Sequence, residues 1–505
     1  MEQSILWYDL ETFGTNPYHD RIAQYAAVRT NYAFEPIGEP TVLYARPADD
    51  YVPNPEACLV TGITPAECAK KGIVEYEFAL RIFDEMMVPG TTVAGYNSIQ
   101  FDDEFIRNLF YRNLLDPYLR EYSRGNSRWD IINLVRATRD LRPEGIQWPA
   151  DPSGKPVFKL EQLSAANGIG HDQAHDALSD VYATIGMARL IKEVQPRVFH
   201  WAFKTRKKDE LRKLFDLNSH PALVHSAAYL TRDEGTSTLI CPLGVPGEQA
   251  KQGRDTLICA DLRHDPERIM GLSVDEIREL VFLPAAREDS RHRRFPLYSI
   301  KLNRSPFVAP LNTLTDERAR DLNIDIDACL NHRETLLANR DLSAKIRQVF
   351  NEPPPASLPS DPDYQIYTGG FFSDGDREQF AFVRRNLEEI IASPTEARTG
   401  LMRKFLAERD RLSFDDGVRA DKLISRILGR SFAAYLPPRA TQSWREFCQN
   451  RILFPLLDEA MDLHKAKKSI SRKLSDSALE VRDKIILKDL SNYIDELMRR
   501  TLEVS

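Results

Sequence analysis

Hydrophobic positions recur with different periods in different parts of this chain. Up to about residue 195, short apolar runs alternate with longer stretches whose apolar residues return every three or four positions. The runs predict strands over 5–13, 22–30, 41–46 and 92–95. The stretches predict helices over 75–87, 102–114, 129–140, 159–167 and 174–192. Early hairpins followed by alternating strands and helices suit a mixed sheet flanked by helices. From about 196 to 350 the strand candidates are short, at 221–230, 237–241, 256–262 and 297–302, with Gly, Pro and Asp turns between them. That pattern predicts a small β-barrel with helical additions from about 315. Prolines then gather between Asn351 and Pro359, where missing donors and fixed φ angles predict an extended linker over 351–362. The last part, 363–505, interleaves apolar and charged residues through Asp374 to Ile391, Ala397 to Leu412 and Ser475 to Met498, and predicts an almost wholly helical domain. The fold class is therefore α+β, and no internal repeat is found.

Composition narrows the setting. A chain of 505 residues exceeds one ordinary core, and its 42% hydrophobic content is enough to build several. The six cysteines, Cys58, Cys68, Cys241, Cys259, Cys329 and Cys448, show neither C-x-x-C pairing nor zinc spacing, which fits a reducing cytoplasm. The N-terminus runs almost at once into a strand, without a basic and apolar leader, and no apolar run is long enough to span a membrane. A soluble cytoplasmic protein is expected. The net charge of −7 argues against indiscriminate nucleic-acid binding. Basic residues cluster locally, however, in Lys204 to Lys208 with Arg212 and Lys213, and in Arg291 to Arg294. A short run of this kind is ordinarily a solvated face, but it also suits phosphate contacts.

Candidate chemistry lies in three fragments of the first part. In WYDLETFG, Asp9 and Glu11 fall on one face of a strand, about 7 Å apart along the chain. Two buried carboxylates call for a metal, a basic partner or exposure at a strand end. In FDDEF, Asp102 and Asp103 stand where a helix begins, a position that favours acids as caps. In AHDALSD, Asp180 belongs to a helix that begins after a Gly- and His-rich loop. His175 lies five residues earlier, about 140° round an ideal helix, so it projects from the first turn rather than sharing the face of Asp180. Each fragment also has a plain reading, as strand edge, N-cap or surface histidine, and Asp176 competes as the relevant acid.

Taken in order, Asp9-x-Glu11, Asp102 and His175-x-x-x-x-Asp180 resemble the histidine-containing branch of the DEDD exonuclease superfamily. The segments LVTGITP (59–65), LRPEGIQWP (141–149), ANGIGHDQAHDALSDVYATIG (166–186) and YTGGFFSDGDREQF (367–380) are similar to the bacterial exonuclease I family, so the likeness spans nearly the whole chain. The resemblance implies a ribonuclease H-like exonuclease domain over 1–195, an SH3-like barrel domain over 196–350, the linker, and a C-terminal helical domain over 363–505. It implies that Asp9, Glu11, Asp102 and Asp180 hold two Mg²⁺ ions, with Mn²⁺ a possible substitute, about 3.5–4 Å apart. His175 would take the proton of the attacking water, with Glu11 also at the reacting phosphate. The implied activity is processive 3′-to-5′ degradation of single-stranded DNA to 5′-mononucleotides, in DNA repair and recombination. Matching positions make Arg107, Tyr118, Tyr122, Arg136, Lys159 and Lys208 DNA-facing candidates, with Lys159 standing where the family carries Arg. The two tyrosines equally suit a helix face packed on a neighbour. Arg142 and Trp201, the latter in place of a tyrosine, match a pocket for the C-terminal tail of single-stranded DNA-binding protein. One chain supplies all three parts, so a monomer suffices. The competing functions are an RNA-trimming 3′ exoribonuclease of the same superfamily and a non-catalytic nucleic-acid-binding module.

Overall fold

The computed structural model describes residues 3–170, 176–246, 255–283, 295–350, 359–408 and 412–502. At its centre lies β1 (Ser4–Thr12), which pairs antiparallel with β2 (Ile22–Thr30), itself antiparallel to β3 (Thr41–Tyr44). On its other side β1 runs parallel to β4 (Thr91–Gly95), and β4 parallel to β5 (Ser127–Asp130). The order β3-β2-β1-β4-β5 is the mixed sheet expected from early hairpins and later crossovers. Between the strands come α1 (Pro55–Thr61), α2 (Pro65–Lys71), α3 (Glu75–Met86) and α4 (Asp102–Arg112). After the sheet come α5 (Ile132–Leu141), α6 (Leu160–Ala166), α7 (Ala177–Val194) and α8 (Pro196–Thr205).

The alternation in β1 sorts its side chains. Leu6, Tyr8 and Leu10 pack with Phe78 and Ile82 of α3 and with Phe105, Ile106 and Leu109 of α4. Ile5 and Trp7 face the other way, against Val181 and Ile185 of α7 and against Phe34. Asp9 and Glu11 continue that second face beyond its apolar part.

Two local differences from the periodicity reading have physical causes. The helix expected from residue 129 starts at Ile132, because SRWD over 127–130 is strand β5. Its polar residues hide the strand signal, and they are buried only because Arg128 pairs with Asp103 at 2.7 Å and Asp130 accepts backbone hydrogen bonds. Helices α1 and α2 lack a long apolar period, but each opens with a capping side chain, Asn54 or Thr64, followed by proline at the first helical position.

The second part carries α9 (Lys208–Arg212) and five antiparallel strands, β6 (Leu223–Ser226), β7 (Ser237–Gly244), β8 (Thr256–Asp261), β9 (Leu297–Lys301) and β10 (Phe307–Pro310), in the order β10-β6-β7-β8-β9. Strand β10, absent from the predicted set, closes onto β6. Leu223, Ile240, Leu257, Ile300 and Val308 fill the barrel with Leu211 and Phe215. Helices cover its flank over Glu267–Met270, Val274–Val281, Asp316–Asp321, Ile326–Ala338 and Arg340–Val349. Helix α8 joins this part to the first, since Phe199 packs on Phe34 and Trp129 in a core that continues into Val224 and Leu239.

The third part is helical throughout, with helices over Asp374–Ala392, Thr395–Ala407, Arg419–Phe432, Pro438–Leu453, Leu463–Leu474 and Val481–Leu502. It returns to the sheet domain, where Ile470, Leu487, Leu490 and Ile494 pack with Phe13, Tyr51, Cys58 and Cys68. Beside that contact Arg430 bridges Asp50 at 2.8 Å and Asp363 at 2.5 Å, all three side chains being buried. Arg426 binds Asp361 through both terminal nitrogens, and Arg451 also reaches Asp363. Burial alone would raise Asp50, but Arg430 and Arg21 hold it down at about 2. All six cysteines are free and buried. No helix among the described residues is long and apolar enough to cross a membrane.

Candidate active site

Helix α7 lies across β1 and β2, and its packing brings the fragments together. Val181 and Ala177 seat the helix on the apolar half of the β1 face, so that Asp180 meets the carboxylates at the far half. Ligand oxygens of Asp9, Glu11 and Asp180 all lie within 4.8 Å of one another. Asp102 enters from α4, which follows the parallel strand next to β1, and the charge of Asp9 bears on it. Asp176 precedes the first residue of α7, with Oδ1 3.5 Å from Gln24 Nε2, and its charge bears on Asp9 and Glu11. His175 lies outside the described residues.

The cluster is electrostatically frustrated. Glu11 is pushed up to about 9, first by burial and then by Asp9, Asp180 and Asp176. Asp9 is held well above the carboxylate range by burial and by Asp180 and Asp176, and Asp102 by burial, Asp9 and Asp103. Among the described residues, no Lys or Arg is one of the main groups that shift these three. Hard oxygen donors, gathered so that they raise one another, are a poor structural feature and a good divalent-cation site. The residues present therefore fit a metal.

Neighbouring acids show what ordinary structural use looks like here. Asp103, next to Asp102, receives hydrogen bonds from Tyr8 at 2.6 Å, Arg120 at 2.6 Å and Arg128 at 2.7 Å. Asp130 accepts the backbone N–H groups of Asn97, Ile99 and Ile132, which holds the turn leading into α4. That turn passes through Asn97 at φ 58°, the left-handed region that Asn tolerates. Neither supporting role is visible in the sequence, because both partner sets come from distant segments. A capping signal alone was available for Asp103.

The remaining candidates are spread over the molecule. Arg107 is buried and committed to Glu121, at 2.7 and 2.9 Å, and to Glu104 at 2.9 Å, with the Tyr118 ring 5.4 Å away. Tyr118 and Tyr122 flank a short 3-10 turn, not a helix face, and Tyr122 is 65% exposed. Tyr118 shares a cleft of about 750 Å³ with Tyr367, Phe371 and Phe372 of the C-terminal part. Arg136 stacks over Phe158 and lines a second cleft, between the sheet domain and the barrel. Lys159 is exposed just before α6. Lys208 and Arg212 are both drawn to Asp255, and Lys204 and Lys213 to Glu210, so much of the first basic run is paired within the chain. The second run, at 291–294, lies outside the described residues. Arg142 is half-buried at the end of α5 and donates to the Leu141 carbonyl. Trp201 Nε1 donates to the Val308 carbonyl at 2.9 Å, at the seam between α8 and the barrel.

Comparison with known proteins covers all three parts. The family model described as "Exonuclease" matches residues 6–188, "Exonuclease I SH3-like domain" matches 206–352, and "Exonuclease I C-terminal domain" matches 360–497. The chain is 40% identical to exodeoxyribonuclease I of Escherichia coli strain K12 over 445 residues, 88% of this chain and 89% of the relative. It is 39% identical to exodeoxyribonuclease I of Haemophilus influenzae over 450 residues, 89% and 90% of the two chains. Among solved structures, E. coli exonuclease I in complex with a dA16 oligonucleotide superposes with a TM-score of 0.87 at 36% identity, covering 98% of this chain and 100% of that one. A zinc-bound E. coli complex with single-stranded DNA gives a TM-score of 0.86 with the same identity and coverage. A structure described as SSB/exonuclease I with an inhibitor gives 0.83, again at 36% identity and with 98% and 100% covered.

Proposed function

The chain belongs to the exodeoxyribonuclease I family, and on that basis we propose that it degrades single-stranded DNA processively from the 3′ end, releasing 5′-mononucleotides in DNA repair and recombination. The observation that carries this reading is the meeting of Asp9, Glu11 and Asp180 within 4.8 Å, with Asp102 close enough to be raised by Asp9, in a chain similar over 98% of its length to a DNA-bound exonuclease I. Asp9, Glu11, Asp102 and Asp180 would hold two Mg²⁺ ions, with Mn²⁺ a possible substitute, and the ions supply Lewis acidity at the scissile phosphate. The chain's own contribution is to hold four acids in place against their mutual repulsion, on β1, α4 and α7. His175 is the proposed proton acceptor for the attacking water, a role suited to an imidazole near neutral pH. Glu11, at the far end of β1, is proposed to touch the reacting phosphate as well.

Arg107, Tyr118, Tyr122, Arg136, Lys159 and Lys208 are the proposed strand contacts. For Arg107 and Lys208 that role requires exchanging a carboxylate partner for a phosphate. Arg142 and Trp201 are proposed to receive the acidic C-terminal tail of single-stranded DNA-binding protein. The enzyme is proposed to act as a cytoplasmic monomer.

The test is digestion of 3′-labelled single-stranded DNA with Mg²⁺, alongside RNA and duplex DNA. Release of labelled mononucleotide from single-stranded DNA alone is expected, with Asp180→Ala inactive. Cutting of RNA in preference would move the assignment to an exoribonuclease. No cutting of any substrate, or undiminished cutting by Asp180→Ala, would overturn the proposed site. Tail-peptide affinity unchanged in Arg142→Ala would remove that residue from the proposed pocket.

A further inference from the structure

The cleft between the sheet domain and the barrel has a volume of about 230 Å³ and contains one aromatic ring that is both exposed and fixed. Tyr229, in the 3-10 turn after β6, is 54% exposed. Its hydroxyl meets Nε2 of His225 at 2.5 Å, while Nδ1 of that histidine meets the Phe307 carbonyl at 2.9 Å. A carbonyl only accepts, so Nδ1 carries the proton, and Nε2 of the neutral ring accepts from Tyr229. Burial pulls His225 down to about 4, which keeps that ring neutral at working pH. Tyr298 of β9 lies against the tyrosine ring, tilted by 41° with centroids 4.7 Å apart. An exposed ring locked at its hydroxyl and backed by a second ring has lost its rotamer freedom before anything binds it.

The cleft is also cationic. Arg136, Lys301 and Arg304 line it, against one acid, Asp130, whose oxygens already accept three backbone N–H groups. Lys301 forms no ion pair among the described residues, and burial first and then Arg304 lower its pKa, with Glu104 opposing them. Among the described residues Arg304 pairs with Glu104, at 3.6 Å. The other wall is the turn of Asn97, Ile99 and Gln100, which runs directly into Asp102. One wall of the cleft is thus two residues along the chain from Asp102.

We infer that Tyr229, held by His225 and Tyr298, is a stacking platform for one unpaired base of the strand upstream of the cut, with Arg136, Lys301 and Arg304 along its phosphates. This rests on the proposed single-strand substrate. Fixed aromatic faces with flanking cations are how single strands are gripped without sequence preference. The platform would hold the strand between cuts, so it bears on binding and processivity, not on the chemical step.

Equilibrium binding of a fluorescein-labelled oligo-dT in EDTA, followed by anisotropy at fixed salt, tests the inference. Tyr229→Ala is expected to weaken binding about tenfold or more, the range seen when an aromatic platform is truncated. Tyr229→Trp should bind within about threefold of wild type, since a flat face is kept. A single abasic site walked along the oligonucleotide should reveal one position at which wild type loses that affinity and Tyr229→Ala loses nothing further. Wild-type binding by Tyr229→Ala, or an abasic walk with no such position, would overturn the platform. The walk on wild type alone decides the matter if the variant does not fold. Activity on single-stranded DNA with a flat abasic walk would remove the platform while leaving the proposed function standing.

Discussion

Metal uptake at this site should expel protons, and the number follows from the carboxylates. Glu11 titrates at about 9 without metal. A group with that value is about 99% protonated at pH 7. Asp9 and Asp102 are raised in the same direction by the same causes, burial first and neighbouring acids next. Each must ionise to act as a ligand, so binding releases about one proton from Glu11, and any fraction of Asp9 and Asp102 that is protonated adds to it. Apparent affinity then rises about tenfold per pH unit for the Glu11 proton, or at least about a hundredfold from pH 6 to pH 8. The assay is calorimetry with Mn²⁺ at pH 7 in two buffers of different ionisation enthalpy, repeated at pH 6 and 8. The difference between buffers counts the protons, and Glu11→Gln should lower the count by about one. Heats independent of buffer, together with a flat affinity over the range, would refute the reasoning. They would mean that the carboxylates are already ionised and that something other than metal compensates them.

The same frustration sets a stability prediction: a carboxylate whose folded pKa lies above its unfolded value of about 4.3 weakens the fold as pH rises between the two. Metal-free protein should therefore lose stability from about pH 5 to pH 9, Glu11→Gln should raise its Tm at pH 8, and added Mn²⁺ should raise the wild-type Tm more at pH 8 than at pH 6. The ionic bridge between the sheet and C-terminal domains should behave oppositely, because Asp50 is held down at about 2. Its contribution is present above the unfolded value of about 3.9 and is lost as pH falls toward 2, and Asp363→Asn, which leaves Arg430 with Asp50 and Arg451 with Asp361 as their remaining carboxylates, should cost about 3 kcal/mol in denaturant unfolding at pH 7. Adjacent substitutions on α4 should separate chemistry from structure. Asp102→Asn should abolish cutting while Tm holds or rises, whereas Asp103→Asn, which takes its carboxylate from buried Arg120 and leaves Arg128 with Glu121, should lower stability by about 3–5 kcal/mol.

What could be read before the fold was known follows from the range of the interactions involved. The face shared by Asp9 and Glu11 is a consequence of strand geometry, and the mixed character of the sheet follows from hairpins before crossovers, so both were legible in local patterns. The fate of Asp102 and Asp103 was not. Two neighbouring acids at a helix start have the same local propensities, and what separates them is the arrival of Arg120 and Arg128, 17 and 25 positions away from Asp103. Strand β5 was hidden for the same reason: Arg128 and Asp130 are buried polar residues that only their partners make tolerable. The bridge from Asp50 to Arg430 spans 380 positions and leaves no trace in local periodicity. The metal candidates are therefore recognised in the structure by what they lack. Asp103, Asp130, Asp50 and Asp363 are buried and paired, with cations or backbone donors brought from elsewhere in the chain. Asp9, Glu11 and Asp102 are gathered at comparable cost, and the groups that bear on them are chiefly other acids. A fold that neutralises its other buried carboxylates so thoroughly leaves these exposed to one another only where a ligand from outside the chain can complete the balance.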